Sequence, residues 1–116
     1  MERIASLSNA KVKLAASLHS RKHREAEGLF VAEGIRLVEM AAASGWGLRF
    51  AFCTPAAAAG ERVKKILQQL AAVCPVYEVS EEIYRKACGT VTPQGLLVVM
   101  EMQRLSLASL REKDGP

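Results

Sequence analysis

Between Arg3 and Arg24 the chain carries six basic residues, Arg3, Lys11, Lys13, Arg21, Lys22 and Arg24, with His19 and His23 among them and no acidic residue. A stretch that keeps one sign of charge suits a polyanion, and the phosphate backbone of a nucleic acid is the usual one. A solvated face without a partner would account for the same run. Beyond Arg24 the signs are nearly balanced, so the net charge of +4 comes mainly from the N-terminal end. A second group of interest is Phe30-Val31-Ala32-Glu33-Gly34-Ile35-Arg36, where a short apolar run gives way to helical periodicity. Gly accepts backbone geometries closed to other residues, and a carboxylate is favoured near a helix N-terminus. Open α/β sheets gather ligands at the carboxyl ends of their strands, which makes Arg36, one turn into the helix, a candidate contact.

Other chemistry is thin. His19 and His23 are spaced to share a metal on one helical turn, but no third ligand stands at a familiar spacing, and they read better as part of the basic arm. Cys53, Cys74 and Cys88 are odd in number and match neither a CxxC knuckle nor a disulfide framework. They read as small buried apolar side chains in a reducing compartment. No Ser, His and Asp set is arranged by motif, and the Ala56 to Gly60 tract, small and turn-like, lacks a phosphate-cradling glycine pattern. No catalytic, cofactor-binding or metal-binding residue is assigned.

The elements that position these residues follow from periodicity. At 116 residues the chain is one domain, long enough to bury roughly two-thirds of its unfolded surface. With few aromatics the core is expected to be aliphatic. Ser6 to Asn9 offer N-caps for a helix over Lys11 to His19. If that helix continued past Ser20, then Lys13, Ser17, Arg21 and Arg24 would form a stripe able to track a phosphate backbone. Leu29 to Ala32 reads as a strand covered on both faces. Ile35, Val38, Ala41 and Ala42 then make the inward stripe of a helix closed by Ser44-Gly45, with Arg36 and Glu39 spaced for a weak surface pair. Strands follow at Leu48 to Thr54, Pro75 to Val79 and Leu96 to Met100. Helices start at Glu61 and after Ser80, and Thr92-Pro93-Gln94-Gly95 has the chemistry of a β-turn. Alternating strands and helices predict an α/β fold: a three-layer α/β/α sandwich with a mostly parallel central sheet of about four strands. No run reaches the roughly 18 apolar residues of a membrane span, nor does the start resemble a signal peptide. A cytoplasmic location is expected.

Four motifs then agree with one family. Ser8-Asn9-Ala10-Lys11-Val12-Lys13, the basic residues around position 22, Phe30 to Val38, and Thr92-Pro93-Gln94-Gly95 resemble, in order and spacing, the N-terminal substrate-binding domain of SpoU-type (TrmH-like) RNA methyltransferases. The resemblance runs from about Ile4 to Glu101. One departure is Asn9-Ala10, where the family commonly has Asn-Pro. The resemblance implies a fold like that of ribosomal proteins that bind kinked RNA, and RNA contact near the first strand-to-helix junction, here Glu33 to Arg36.

Relatives transfer a methyl group from S-adenosylmethionine to a ribose 2′-hydroxyl in a C-terminal knotted domain whose Asn-x-Gly-x-x-x-Arg motif is absent here. The resemblance therefore implies a non-catalytic chain that binds structured ribosomal or transfer RNA for a catalytic domain following it, in a homodimeric parent enzyme. On this reading residues 1–28 are a basic helical arm, 29–102 the α/β substrate-binding domain, and 103–116 a linker with Leu105, Leu107 and Leu110. Asn9, Lys11, Lys13, Arg21, Lys22, Arg24, Glu33 and Arg36 are the expected RNA contacts, and S-adenosylmethionine belongs to the catalytic domain. A protein-interaction or dimerisation module and a stand-alone structured-RNA-binding protein are the alternatives.

Overall fold

The structure, a computed structural model, describes residues 1–102. Its elements in chain order are β1 (Glu2–Arg3), α1 (Ala10–Ser17), α2 (Arg21–Glu27), β2 (Leu29–Glu33), α3 (Ile35–Ala43), β3 (Leu48–Cys53), α4 (Pro55–Ala58), α5 (Glu61–Ala71), β4 (Val76–Glu78), α6 (Glu81–Cys88) and β5 (Leu96–Glu101). The strands form one sheet in the order β1-β4-β3-β5-β2. The three-layer α/β architecture follows as the alternation predicted, with a fifth strand supplied by the short β1 pairing in parallel with β4.

The pairings are mixed. β3 and β4 are parallel, while β5 is antiparallel to both β3 and β2. Four strands therefore share a direction and β5 alone is reversed. The cause is the connection over residues 89–95: it returns the chain to the end of the sheet where β2 and β3 finish, so that Leu96 stands opposite Cys53 and Leu97 opposite Glu33. β2 lies at the sheet's edge, covered on both faces but open along one side.

Strand alternation divides the core in two. Phe50, Phe52, Leu97 and Val99 point to one face, where they meet Val12, Ala15 and Leu18 of α1 and its C-terminal end and Ile83, Tyr84 and Ala87 of α6. Ala51, Cys53, Leu96, Val98 and Met100 point to the other, against Val38 and Ala41 of α3 and Val63, Ile66 and Leu70 of α5. Burying each Val, Leu or Ile side chain contributes about 1.5–3 kcal/mol, so the first helix is a structural member of the domain.

Two local outcomes differ from the sequence expectation. The first helix stops at Ser17 and a new one starts at Arg21, because the Leu18 N–H bonds back to Leu14 and Ala15 while Ser20 resumes an extended backbone (φ −88°, ψ 129°). The stripe through Lys13, Ser17, Arg21 and Arg24, conditional on one continuous helix, is thereby broken. The Ala56 to Gly60 tract is not a plain turn: Thr54 caps the short α4, with Pro55 in its first turn, where a missing N–H is harmless. The 103–116 linker reading lies outside the described residues.

Candidate nucleic-acid interface

At the end of β2 the chain is fixed by a reciprocal clamp between two distant segments. Glu33 Oε2 accepts hydrogen bonds from the Tyr84 hydroxyl at 2.6 Å and the Gln94 backbone N–H at 2.7 Å. Gln94 reaches back, its Oε1 accepting from the Ile35 N–H at 2.8 Å in the first turn of α3. Side chains thus satisfy donors that a helix start leaves without partners. Gly34 sits beneath this clamp at φ 109°, with any Cβ placed 3.2 Å from Gln94 Oε1. Only glycine suits both the conformation and the space.

The clamp continues through Gly95. The Thr54 N–H donates to its carbonyl at 2.9 Å, and a Cβ at Gly95 (φ 84°) would come within 2.5 Å of Thr54 Oγ1. That oxygen accepts from the Ala57 N–H and caps α4. Tyr84 is fully buried; burial, and then its bond to Glu33, push its hydroxyl far above the ordinary tyrosine pKa. Thr-Pro-Gln-Gly therefore works less as a turn than as a lock for the β2–α3 junction.

Against this lock Arg36 stands apart. It is exposed and forms no ion pair or hydrogen bond among the described residues. Its expected partner Glu39 is held instead by Arg62 of α5, through bonds of 3.3 and 2.8 Å, and that bond holds the Glu39 carboxyl below its ordinary pKa. The cause is geometric: α3 and α5 pack side by side, and the Arg62 guanidinium meets the carboxylate with two nitrogens. Arg36 lines a shallow pocket of about 230 Å³ with Glu33, Gly34 and Gln94.

The remaining expected contacts divide. Lys13 and Lys22 are exposed and unpaired among the described residues. Arg21 forms an exposed pair with Glu25 at 3.0 Å, of the kind worth about 0–1 kcal/mol and readily exchanged for another anion. Lys11 sets its ammonium 5.4 Å from the Tyr77 ring centroid, a weak cation–π contact that leaves its charge partly exposed. Asn9 is the N-cap of α1, its side chain accepting from the Lys11 N–H at 2.8 Å. Arg24 has a structural duty the sequence did not reveal: its guanidinium donates to the Leu18 carbonyl at 2.9 Å and ties α2 to the end of α1. His19 also ties elements together, its Nε2 donating to the Ala87 carbonyl at 2.7 Å.

Glu33, likewise, is explained by Tyr84 and Gln94 without any ligand. Gln94, Thr54 and Tyr84 are the residues whose site role sequence reasoning missed. The motif containing Gln94 was visible, but its partner lies about sixty residues away.

A methyl donor does not fit these residues. The polar groups at the strand ends already serve the fold, Glu33 accepting from Tyr84 and Gln94, Gln94 from Ile35 and Thr54 from Ala57, and a donor with an amino-acid end and a ribose needs free ones. Among the described residues no three His, Cys, Asp or Glu side chains gather into a metal site. The three cysteines are buried and free of disulfides, and burial pushes the Cys53 thiol up to about 11, away from nucleophilic use. No helix among the described residues is long and apolar enough to cross a membrane.

Comparison with known proteins gives this geometry a family. Residues 9–98 match the MRM3-like substrate binding domain. The chain belongs to this family. Among solved structures it is similar to an RNA 2′-O ribose methyltransferase at 31% identity and a TM-score of 0.73, covering 90% of this chain and 39% of that one. An rRNA methyltransferase from Sinorhizobium meliloti shows 26% identity and a TM-score of 0.70, with 90% of this chain and 38% of that chain covered. The SpoU methyltransferase AviRb from Streptomyces viridochromogenes, solved with AdoMet, shares the fold at a TM-score of 0.72 and 19% identity, over 86% of this chain and 38% of that chain. Comparison with curated proteins finds no match. This MRM3-like domain thus spans less than two-fifths of the length of each of these solved structures.

Proposed function

We propose that this MRM3-like domain recruits structured RNA, ribosomal or transfer, for a ribose 2′-O-methyltransferase whose S-adenosylmethionine-dependent chemistry resides in a domain outside this chain. The observation that carries the reading is the family match over residues 9–98, joined to the partial coverage of the methyltransferases it resembles. Residues 103–116 are the linker to that domain in this proposal, and the parent enzyme pairs with a second copy of itself.

The surface supports the assignment in physical terms. The clamp holds the β2–α3 junction rigid, so Arg36 presents its charge from a fixed base at no cost in fold stability. Lys13, Lys22 and the loosely paired Arg21 add positive charge on α1 and α2. Phosphate contacts of this kind release counterions and make binding steeply salt-dependent. Titration of the chain with fluorescently labelled ribosomal and transfer RNA fragments at several salt concentrations tests the proposal. Binding that weakens linearly in log–log form as salt rises is expected; absence of binding at low salt would rule it out.

A further inference from the structure

The open edge of β2 is lined by three adjoining depressions that share walls. The pocket of Arg36 shares Leu37 and Met40 with an apolar groove of about 220 Å³. That groove shares Phe30 and Trp46 with a larger depression of about 550 Å³ containing His19 and Arg24. The result is a continuous band with a cation at each end and apolar side chains between. Leu37, Met40 and Trp46 are 48%, 63% and 48% exposed, which is much large apolar surface to leave uncovered in one place.

The loop that carries Trp46 is tied down through its backbone. The Trp46 backbone N–H donates to the Ser44 hydroxyl at 3.1 Å, the same hydroxyl donates to the Ala41 carbonyl at 2.7 Å, and the Gly47 carbonyl accepts from the Glu101 N–H at 2.8 Å. The indole is therefore displayed from a fixed loop between α3 and β3. Two acidic groups near this edge are paired, Glu101 with Arg49 and Glu25 with Arg21. Arg24 uses one nitrogen on Leu18 and has no other partner among the described residues for the rest of its guanidinium.

We propose that this edge is a track for single-stranded RNA, in which an unpaired base stacks on Trp46 while Arg24 and Arg36 take phosphates on either side. The proposal rests on the RNA-binding reading above and adds the nucleic-acid form and the aromatic residue that reads it. Cations flanking an exposed aromatic are the combination that single-stranded nucleic acid uses, since every base offers a π-face and the backbone supplies the charge. Aliphatic contact alone would suit a protein partner equally well; the two flanking arginines favour the polyanion.

Trp46 is the chain's single tryptophan, so its emission reports on this site alone. The test titrates the chain with a hairpin RNA carrying an unpaired loop and with a blunt duplex of the same stem, following Trp46 emission and, separately, the anisotropy of the labelled RNA. The loop RNA is expected to quench Trp46. Trp46→Ala should weaken loop binding about tenfold without altering duplex binding, and Trp46→Phe should retain most of the affinity. Thermal melts identify any variant that has lost its fold, and the titration with unaltered protein stands without them. Loop RNA that binds with unchanged emission, and equally well to Trp46→Ala, would overturn the track while leaving the RNA-binding reading intact. No binding of either RNA would remove both. A blue-shifted emission that tracks self-association in sedimentation and is insensitive to RNA would overturn the proposal in favour of a protein interface.

Discussion

The β2–α3 junction and the α1–α2 joint each place an arginine beside a break in regular structure, and they use it in opposite ways. At the joint, α1 ends with its terminal carbonyls short of partners, as every helix does, and Arg24 donates to Leu18 to supply one. At the junction, the donors left by the start of α3 are met by Gln94, and Gln94 is in turn held by Glu33. Arg36 is left with nothing to complete. How much of a surface cation is left for a ligand thus depends on whether neighbouring backbone groups have already been satisfied by something else: Arg24 gives one nitrogen to Leu18 and Arg36 gives none. The cation's own exposure or spacing does not decide the matter.

The sharpest way to break this contrast is at the clamp. Glu33→Ala would leave the buried Tyr84 hydroxyl and the Gln94 N–H without an acceptor, a loss of about 3 kcal/mol, to be read as a lower urea midpoint with an unchanged slope. An effect below 1 kcal/mol would mean that water replaces the carboxylate and that the lock is not structural. Gly95→Ala comes next at about 2 kcal/mol, from its left-handed backbone and the close approach of Thr54; a melting temperature equal to that of the unaltered protein would contradict the packing described.

Tyr84→Phe should cost about 1–2 kcal/mol at neutral pH, with a distinctive dependence on pH. The fold raises the Tyr84 pKa, through burial and then the Glu33 bond. Its contribution is therefore complete below the ordinary tyrosine value of about 10 and is lost as pH rises beyond it. Urea melts of the two proteins should converge in alkaline solution, and a gap that widens with pH would reverse the assignment. Arg24→Ala should cost about 1 kcal/mol, measurable as faster amide hydrogen exchange at the start of α2; unchanged exchange there would make Arg24 as free as Arg36.

These predictions also mark what the amino-acid sequence could and could not disclose. The inward faces of α3 and α5, the strand at 96–100 and the burial of all three cysteines were legible, because period and apolar content determine them locally. The reversed direction of β5 was not, since it depends on where the 89–95 connection returns to the sheet. At the candidate interface, the cations were visible as a charge run, but their availability was not. Glu33 looks like a free ligand in one dimension and is engaged in three, Arg24 gives one of its nitrogens to Leu18, and Glu39 turns from Arg36 to Arg62 across helices. Gln94 lay within a noted motif yet drew no role, because its partners at 33 and 35 become neighbours only when β2 and β5 pair.

The smallest expected effect on the fold belongs to the residue on which the functional account depends most. Arg36→Ala should leave the melting temperature within about 1 °C, as exposed unpaired positions usually do, and should lower the slope of log affinity against log salt for structured RNA by about one. Measuring both quantities on the same variant is the direct test. A lower affinity with a reduced salt slope at constant melting temperature is the predicted result; unchanged RNA affinity with a melting temperature several degrees lower would contradict the account.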